Sequence, residues 1–260
     1  MNVSMLYATN TFVSYNYPLE EANVIFIGVP FSSTNISTSS MYGPLMVREA
    51  LKLIETETNK GNVFEKLKIC DAGDVEIVPG SYELTAQRIR ETVQEMRKIN
   101  PSAFLVVVGG EHLITLPLVE TLKPKTIVQI DAHADTDPEY MGAVYSHATW
   151  AFHAAKRAHI YQYGMRNTKM PTNVSLLDIS MLPTIEQPLH MTIDIDAFAA
   201  SHIGETGFYE GRLSPENVFD IIDKADVKSL DIVEIADRTL PSKSGFLAAR
   251  LIVKALSKLL

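Results

Sequence analysis

The run Phe104-Leu105-Val106-Val107-Val108 has no polar side chain on either of its alternating faces, so a strand built from it must be covered on both. Segments of similar length recur at Asn23 to Val29, Leu67 to Asp71, Thr126 to Asp131, His159 to Tyr163, Val174 to Leu177, Leu189 to Asp194 and Ser229 to Ile235. Longer amphipathic stretches separate them, at Gly43 to Glu57, Tyr82 to Lys98, Ile114 to Leu122, Ser146 to Lys156, Ser214 to Asp223 and Lys243 to Leu259. This alternation predicts an α/β protein, a three-layer αβα sandwich with a mostly parallel sheet. Ser81 is placed to cap one helix and Pro215 to open another. No repeat, low-complexity tract or polar linker interrupts the pattern, and residues 1–260 are expected to form one domain.

Apolar residues make up 46% of the chain and charged residues 21%, the balance of an ordinary folded domain. A formal net charge of −8 works against phosphate backbones and anionic lipid surfaces. Neither nucleic acid nor a membrane is expected as a partner, and a cationic small molecule suits the charge. Cys70 is the only cysteine, which excludes an intrachain disulfide and fits a reducing compartment. Met1 to Tyr17 have neither a basic start nor an apolar core, and no apolar run is long enough to cross a bilayer. A cytoplasmic protein is the expectation.

The polar residues that interrupt this plan cluster at strand ends. Asp131-Ala132-His133-Ala134-Asp135 and Asp194-Ile195-Asp196 each follow an apolar strand, and Gly109-Gly110 leads from another strand to His112. In an extended chain, residues two apart share a face, so Asp131, His133 and Asp135 converge from one strand end and Asp194 with Asp196 from another. Solvated strand ends with capping aspartates are the alternative reading. Four carboxylates gathered at buried strand ends repel one another unless a cation lies between them. Two imidazoles, four carboxylates and no thiolate form a set that favours manganese over zinc, iron, cobalt or nickel, and two divalent ions balance its charge. The loops Ser32 to Tyr42, Thr136 to Tyr145 and Ser201 to Arg212 follow strands and are expected to rim the site.

The ordered series of motifs resembles the ureohydrolase family, which contains the arginases and agmatinases. It comprises Gly28-Val29-Pro30-Phe31, Gly43-Pro44 with Arg48-Glu49, Asp71-Ala72-Gly73-Asp74, Gly109-Gly110-Glu111-His112, the two aspartate runs, Tyr145-Ser146-His147, Gly164-Met165-Arg166 and Asp231-Ile232-Val233-Glu234. The resemblance implies an arginase-like fold and two Mn2+ ions per subunit. His112, Asp131, Asp135 and Asp194 would surround one ion, and His133, Asp131, Asp194 and Asp196 the other. It further implies that Asp135 orients the attacking hydroxide and relays its proton, that His147 shuttles protons at the mouth, and that Glu234 pairs with a substrate guanidinium. Taken alone, Glu234 reads as a strand-end carboxylate or helix cap and His147 as a residue of a first helical turn. A homotrimer or homohexamer is implied as the assembly.

The chain departs from the family pattern at Glu111, Leu113, Ala143, Ala199 and Ala200, and through the Ser201 to Arg212 loop. Pro138 to Ser146 is similar to the agmatinase version of its loop and lacks the Ser and Asn run with which arginases bind an α-carboxylate. The expected activity is therefore hydrolysis of a small cationic guanidine to urea and an amine, first of all agmatine to putrescine. Hydrolysis of guanidinobutyrate, guanidinopropionate, formiminoglutamate or arginine is one alternative, with Arg212 as the cation for an acid-terminated substrate. A catalytically silent binding subunit is the other. His153, His159 and His190 read as packing or surface residues, His202 as a solvent-exposed loop residue, Arg166 as an ion-pair partner, and Trp150 carries little information.

Overall fold

Strand β1 (Val24–Val29) sends its side chains alternately into two separate apolar cores, Val24 and Phe26 into one and Ile25, Ile27 and Val29 into the other. Strand β5 (Phe104–Gly109) does the same, with Phe104, Val106 and Val108 opposite Leu105 and Val107. The computed structural model describes residues 12–34, 38–166, 171–209 and 211–260. Of the segments singled out in the sequence, Met1 to Thr11, Asn35 to Ser37 and Glu210 lie outside these.

Eight strands form one sheet: β1, β4 (Ile69–Asp74), β5, β6 (Thr126–Ile130), β7 (His159–Tyr163), β8 (Val174–Leu176), β9 (Leu189–Asp194) and β10 (Val227–Val233). Their order is β4-β1-β5-β10-β9-β6-β7-β8, and every pairing within it is parallel. Helices α1 (Gly43–Leu51), α6 (Pro215–Lys224) and α7 (Lys243–Leu256) cover one face through Met46, Val218, Ile221 and Leu251. Helices α3 (Tyr82–Ile99), α4 (Thr115–Leu122) and α5 (Trp150–Ala154) cover the other through Ile89, Val93, Leu118 and Trp150. The three-layer αβα arrangement is as expected. Both anticipated helix starts are present, with Ser81 Oγ accepting from Leu84 N at 3.3 Å and Asn217 Oδ1 accepting from Ser214 N at 2.9 Å.

Two helices are shorter than the sequence suggested. Helix α1 stops at Leu51 rather than Glu57, and the following residues pair as a small hairpin, β2 (Glu57–Thr58) with β3 (Gly61–Asn62), ahead of a single turn of helix α2 (Val63–Lys66). Helix α5 begins at Trp150 rather than Ser146 because Thr149 Oγ1 accepts from Ser146 N and donates to Val144 O, both at 2.9 Å, tying residues 144–149 into a turn.

The strand order matters more for the site than the strand count. Strands β5, β10, β9 and β6 are consecutive neighbours, so the segments leaving their carboxyl ends emerge side by side at one edge. Those segments carry His112, Glu234, the second aspartate run and the first.

Candidate metal centre

All six predicted donors meet at this edge, by a local route different from simple strand alternation. Strand β6 ends at Ile130, and Asp131 Oδ1 accepts from His133 N at 2.7 Å. Strand β9 ends at Asp194, whose Oδ1 accepts from Asp196 N at 2.8 Å in a short 3-10 turn over Ile195–Ala197. Each run is thus folded by its own first aspartate, as an Asx-type turn. Asp135 has a left-handed backbone, φ 53°, far from the extended conformation the alternation assumed. The alternation holds for the apolar partners, since Ile193, Ile195 and Ala197 all enter one core.

His112 Nδ1 lies 3.1 Å from Asp131 Oδ2, 3.2 Å from Asp135 Oδ2 and 3.3 Å from Asp194 Oδ2. His133 Nδ1 lies 2.9 Å from Asp196 Oδ2 and 3.8 Å from Asp131 Oδ1. Two overlapping clusters result, His112 with Asp131 and Asp194, and Asp131 with His133 and Asp196, each with ligand atoms within 4.8 Å of one another. His112 Nδ1 is buried and has no hydrogen-bond partner of acceptable geometry despite its three close oxygens. One imidazole nitrogen cannot serve three carboxylates, whereas a cation in their midst is attracted to all four groups. This orphaned nitrogen and the hard-oxygen donor set fit a divalent ion.

The electrostatics point the same way. Burial, then Asp135 and Asp196, pushes the Asp131 carboxyl up to about 7. Burial, then Asp196 and Asp131, raises Asp194 well above the usual carboxylate range. Its bond to Asp196 holds the His133 imidazolium up to about 9. Burial opposes the His112 imidazolium, but three adjacent carboxylates outweigh that and raise it. Protons thus partly neutralise a cluster whose charge calls for cations.

Residues that the sequence left unassigned hold the donors in place. Asp231 is completely buried and accepts from Thr192 Oγ1 at 2.5 Å, from Thr115 Oγ1 at 3.1 Å and pairs with His190 Nε2 at 2.7 Å. With its proton committed to Asp231, the Thr192 hydroxyl accepts from His112 Nε2 at 2.9 Å. In a neutral His112 ring the hydrogen would then sit on Nε2 and leave the Nδ1 lone pair facing the three carboxylates. Gln129 Nε2 donates to Asp131 Oδ2 at 2.8 Å and is itself braced by Gln162. Trp150 stacks on His112 with centroids 4.6 Å apart and donates from Nε1 to Asp135 Oδ2 at 2.9 Å. His190 is consequently a buried, bonded residue of the site's support rather than packing or surface. The available signal was the polar side chains inside apolar strands, Gln129 in β6 and His190 and Thr192 in β9, because a buried polar group needs a partner.

The centre forms the floor of a cavity of about 700 Å³ whose walls include His147, Glu234, Arg166, Tyr140 and Phe208. Glu234 is also left-handed, φ 63°, and its Oε1 accepts from His112 N at 2.9 Å. Burial, then Glu111, pushes its carboxyl up to about 8. His147 packs edge-on against Tyr140 at 5.2 Å. Arg166 lines this cavity, whereas Arg212 and His202 do not. His153 contacts Val144 O and His159 contacts Ser175 Oγ, both away from the donors.

A sequence profile of the arginase family matches residues 22–257. The chain belongs to the arginase family. This arginase-family ureohydrolase is 31% identical to N(1)-aminopropylagmatine ureohydrolase of Thermococcus kodakarensis over 96% of both chains. It is 29% identical to agmatinase of Pyrococcus horikoshii over 90% of this chain and 91% of the relative. Among solved structures, the agmatine ureohydrolase of Thermoplasma volcanium matches with a TM-score of 0.86 at 22% identity, covering 97% of this chain and 95% of that one. That likeness shows the fold alone. No helix among the described residues of the arginase-family chain is long and apolar enough to cross a membrane.

Proposed function

We propose that the chain hydrolyses a cationic, carboxylate-free guanidine, agmatine first, releasing urea and putrescine, with two manganese ions per subunit. The observation that carries this reading is the convergence of six candidate ligands, five of which line the same cavity as Glu234. His112, Asp131, Asp135 and Asp194 would hold one ion, and His133, Asp131, Asp194 and Asp196 the other. Bound there, the pair supplies a water of lowered pKa and stabilises charge developing on the attacked carbon.

The chain's own residues account for the remaining needs. A guanidinium is planar, cationic and resistant to attack, so it must be fixed and its leaving amine protonated. Glu234, held at His112 N through Oε1, presents a carboxylate to the guanidinium. Asp135 Oδ2, anchored by Trp150 Nε1, takes the proton that the attacking water loses. His147, on the cavity wall, hands a proton to the departing amine.

A longer cation such as N(1)-aminopropylagmatine is the second reading, favoured by the 31% identity to the Thermococcus kodakarensis enzyme and by a cavity of about 700 Å³. Arg166 on the wall brings acid-terminated guanidines into the comparison. Manganese-loaded protein is assayed for urea release from agmatine, N(1)-aminopropylagmatine, arginine and guanidinobutyrate in parallel, with bound metal measured. Turnover of either carboxylate-free cation above the two acids supports the reading. Preference for an acid, or full metal content without urea from any of the four, overturns the substrate assignment. We infer a homotrimer or homohexamer on the resemblance alone, which light scattering checks.

A further inference from the structure

We propose that Thr34, braced by Glu111, is a positioning residue that fixes the tautomer of His147 and so leaves its Nε2 as the proton-exchanging atom. The arrangement starts with glycine. A Cβ on Gly110 would lie 2.0 Å from Phe31 O, so only glycine lets the exit of β5 lie against the exit of β1. Gly110 N donates to Val29 O and Glu111 N to Phe31 O, both at 2.8 Å. The Glu111 side chain is thereby driven, fully buried, into the loop that carries Thr34.

Inside that loop each atom's role follows from the one before it. Glu111 Oε2 accepts from Ser33 N and Thr34 N, both at 2.7 Å, and Oε1 accepts from Thr34 Oγ1 at 2.7 Å. A carboxylate has no proton to return, so the single hydroxyl proton of Thr34 is committed to Glu111. Thr34 Oγ1 is left with two lone pairs and no donor. One accepts from His147 N at 3.0 Å, and the other faces His147 Nδ1 at 3.3 Å. Two lone pairs facing each other would repel, so Nδ1 carries the hydrogen. In the neutral ring Nε2 is then bare, on a residue that lines the cavity. Thr34 uses its full capacity of one donor and two acceptors, so no other assignment satisfies all three contacts.

The tautomer follows from these contacts alone, while its catalytic consequence rests on the role proposed above for His147. The test separates the two. Long-range 1H–15N correlation of the histidine rings is recorded on the full chain loaded with diamagnetic Zn2+, with His147 assigned by its loss in His147→Asn. Wild type is expected to show neutral His147 as the Nδ1–H form. Thr34→Val should abolish that preference, and Thr34→Ser should keep it. Glu111→Gln should reverse it: the amide oxygen takes the two backbone donors, its NH2 donates to Thr34, and the hydroxyl proton turns towards Nδ1. Manganese-loaded Thr34→Val should lose about tenfold or more in kcat with KM and bound metal unchanged. An Nε2–H form in wild type, or an unaltered Nδ1–H form in Thr34→Val, overturns the proposal whatever the activity. The expected tautomers with undiminished kcat in Thr34→Val would remove His147 from the chemistry and leave the positioning intact.

Discussion

At the scale of single residues, the six donors are not equivalent, and substitution separates their roles. Asp131 faces both histidines, so Asp131→Asn is expected to abolish urea release and lower bound manganese together, measured by elemental analysis beside the assay. Glu234→Gln should retain metal and raise KM or lower kcat, because Glu234 is assigned to the substrate. The pH dependence of the metal-free protein has a defined sign. Asp131 at about 7 and Glu234 at about 8 stand above their ordinary 3.8 and 4.5, and His133 at about 9 stands above 6.5. The folded state therefore keeps protons that the unfolded chain has released, and its stability falls as pH rises from about 4 to about 9. Manganese should remove most of that decline, which thermal melts across the range, with and without metal, will read.

At the scale of elements, the strands carry the support and the turns after them carry the chemistry. Thr192→Val removes the hydroxyl between His112 Nε2 and Asp231, leaving a buried donor unpaired at a cost of about 1–3 kcal/mol. It also frees the His112 ring to rotate or change tautomer, so manganese affinity should fall about 10- to 100-fold, measured by calorimetry. Most strand positions were legible from apolar runs because burial on both faces leaves a continuous pattern in the sequence. The end of α1 and the start of α5 were not, because residues 56–62 and 144–149 are tied by Thr56, Thr58 and Thr149 side-chain bonds that compete with helix. The inward turn of each aspartate run was hidden for the same reason. Periodicity described an extended chain, and a carboxylate bonded two residues ahead ended it.

At the scale of the whole molecule, one sheet links residues 24–233 and separates two cores, which no helix layer alone could close. We propose a single folding unit, expected to show one cooperative denaturant transition by fluorescence and circular dichroism alike; two separated transitions would divide it. The sequence by itself determined the α/β alternation, the donor types and the chain order of the site motifs, since these are properties of residues and their near neighbours. Only the tertiary structure decided that the strands third, fourth, seventh and eighth along the sheet's chain order lie side by side as β5-β10-β9-β6. Only there do Thr34 and His147, 113 residues apart, share a bond, and His112 rest on Thr192 and Asp231. Sheet order joins segments distant in the chain, and local hydrophobic period carries no record of which strand will be the neighbour.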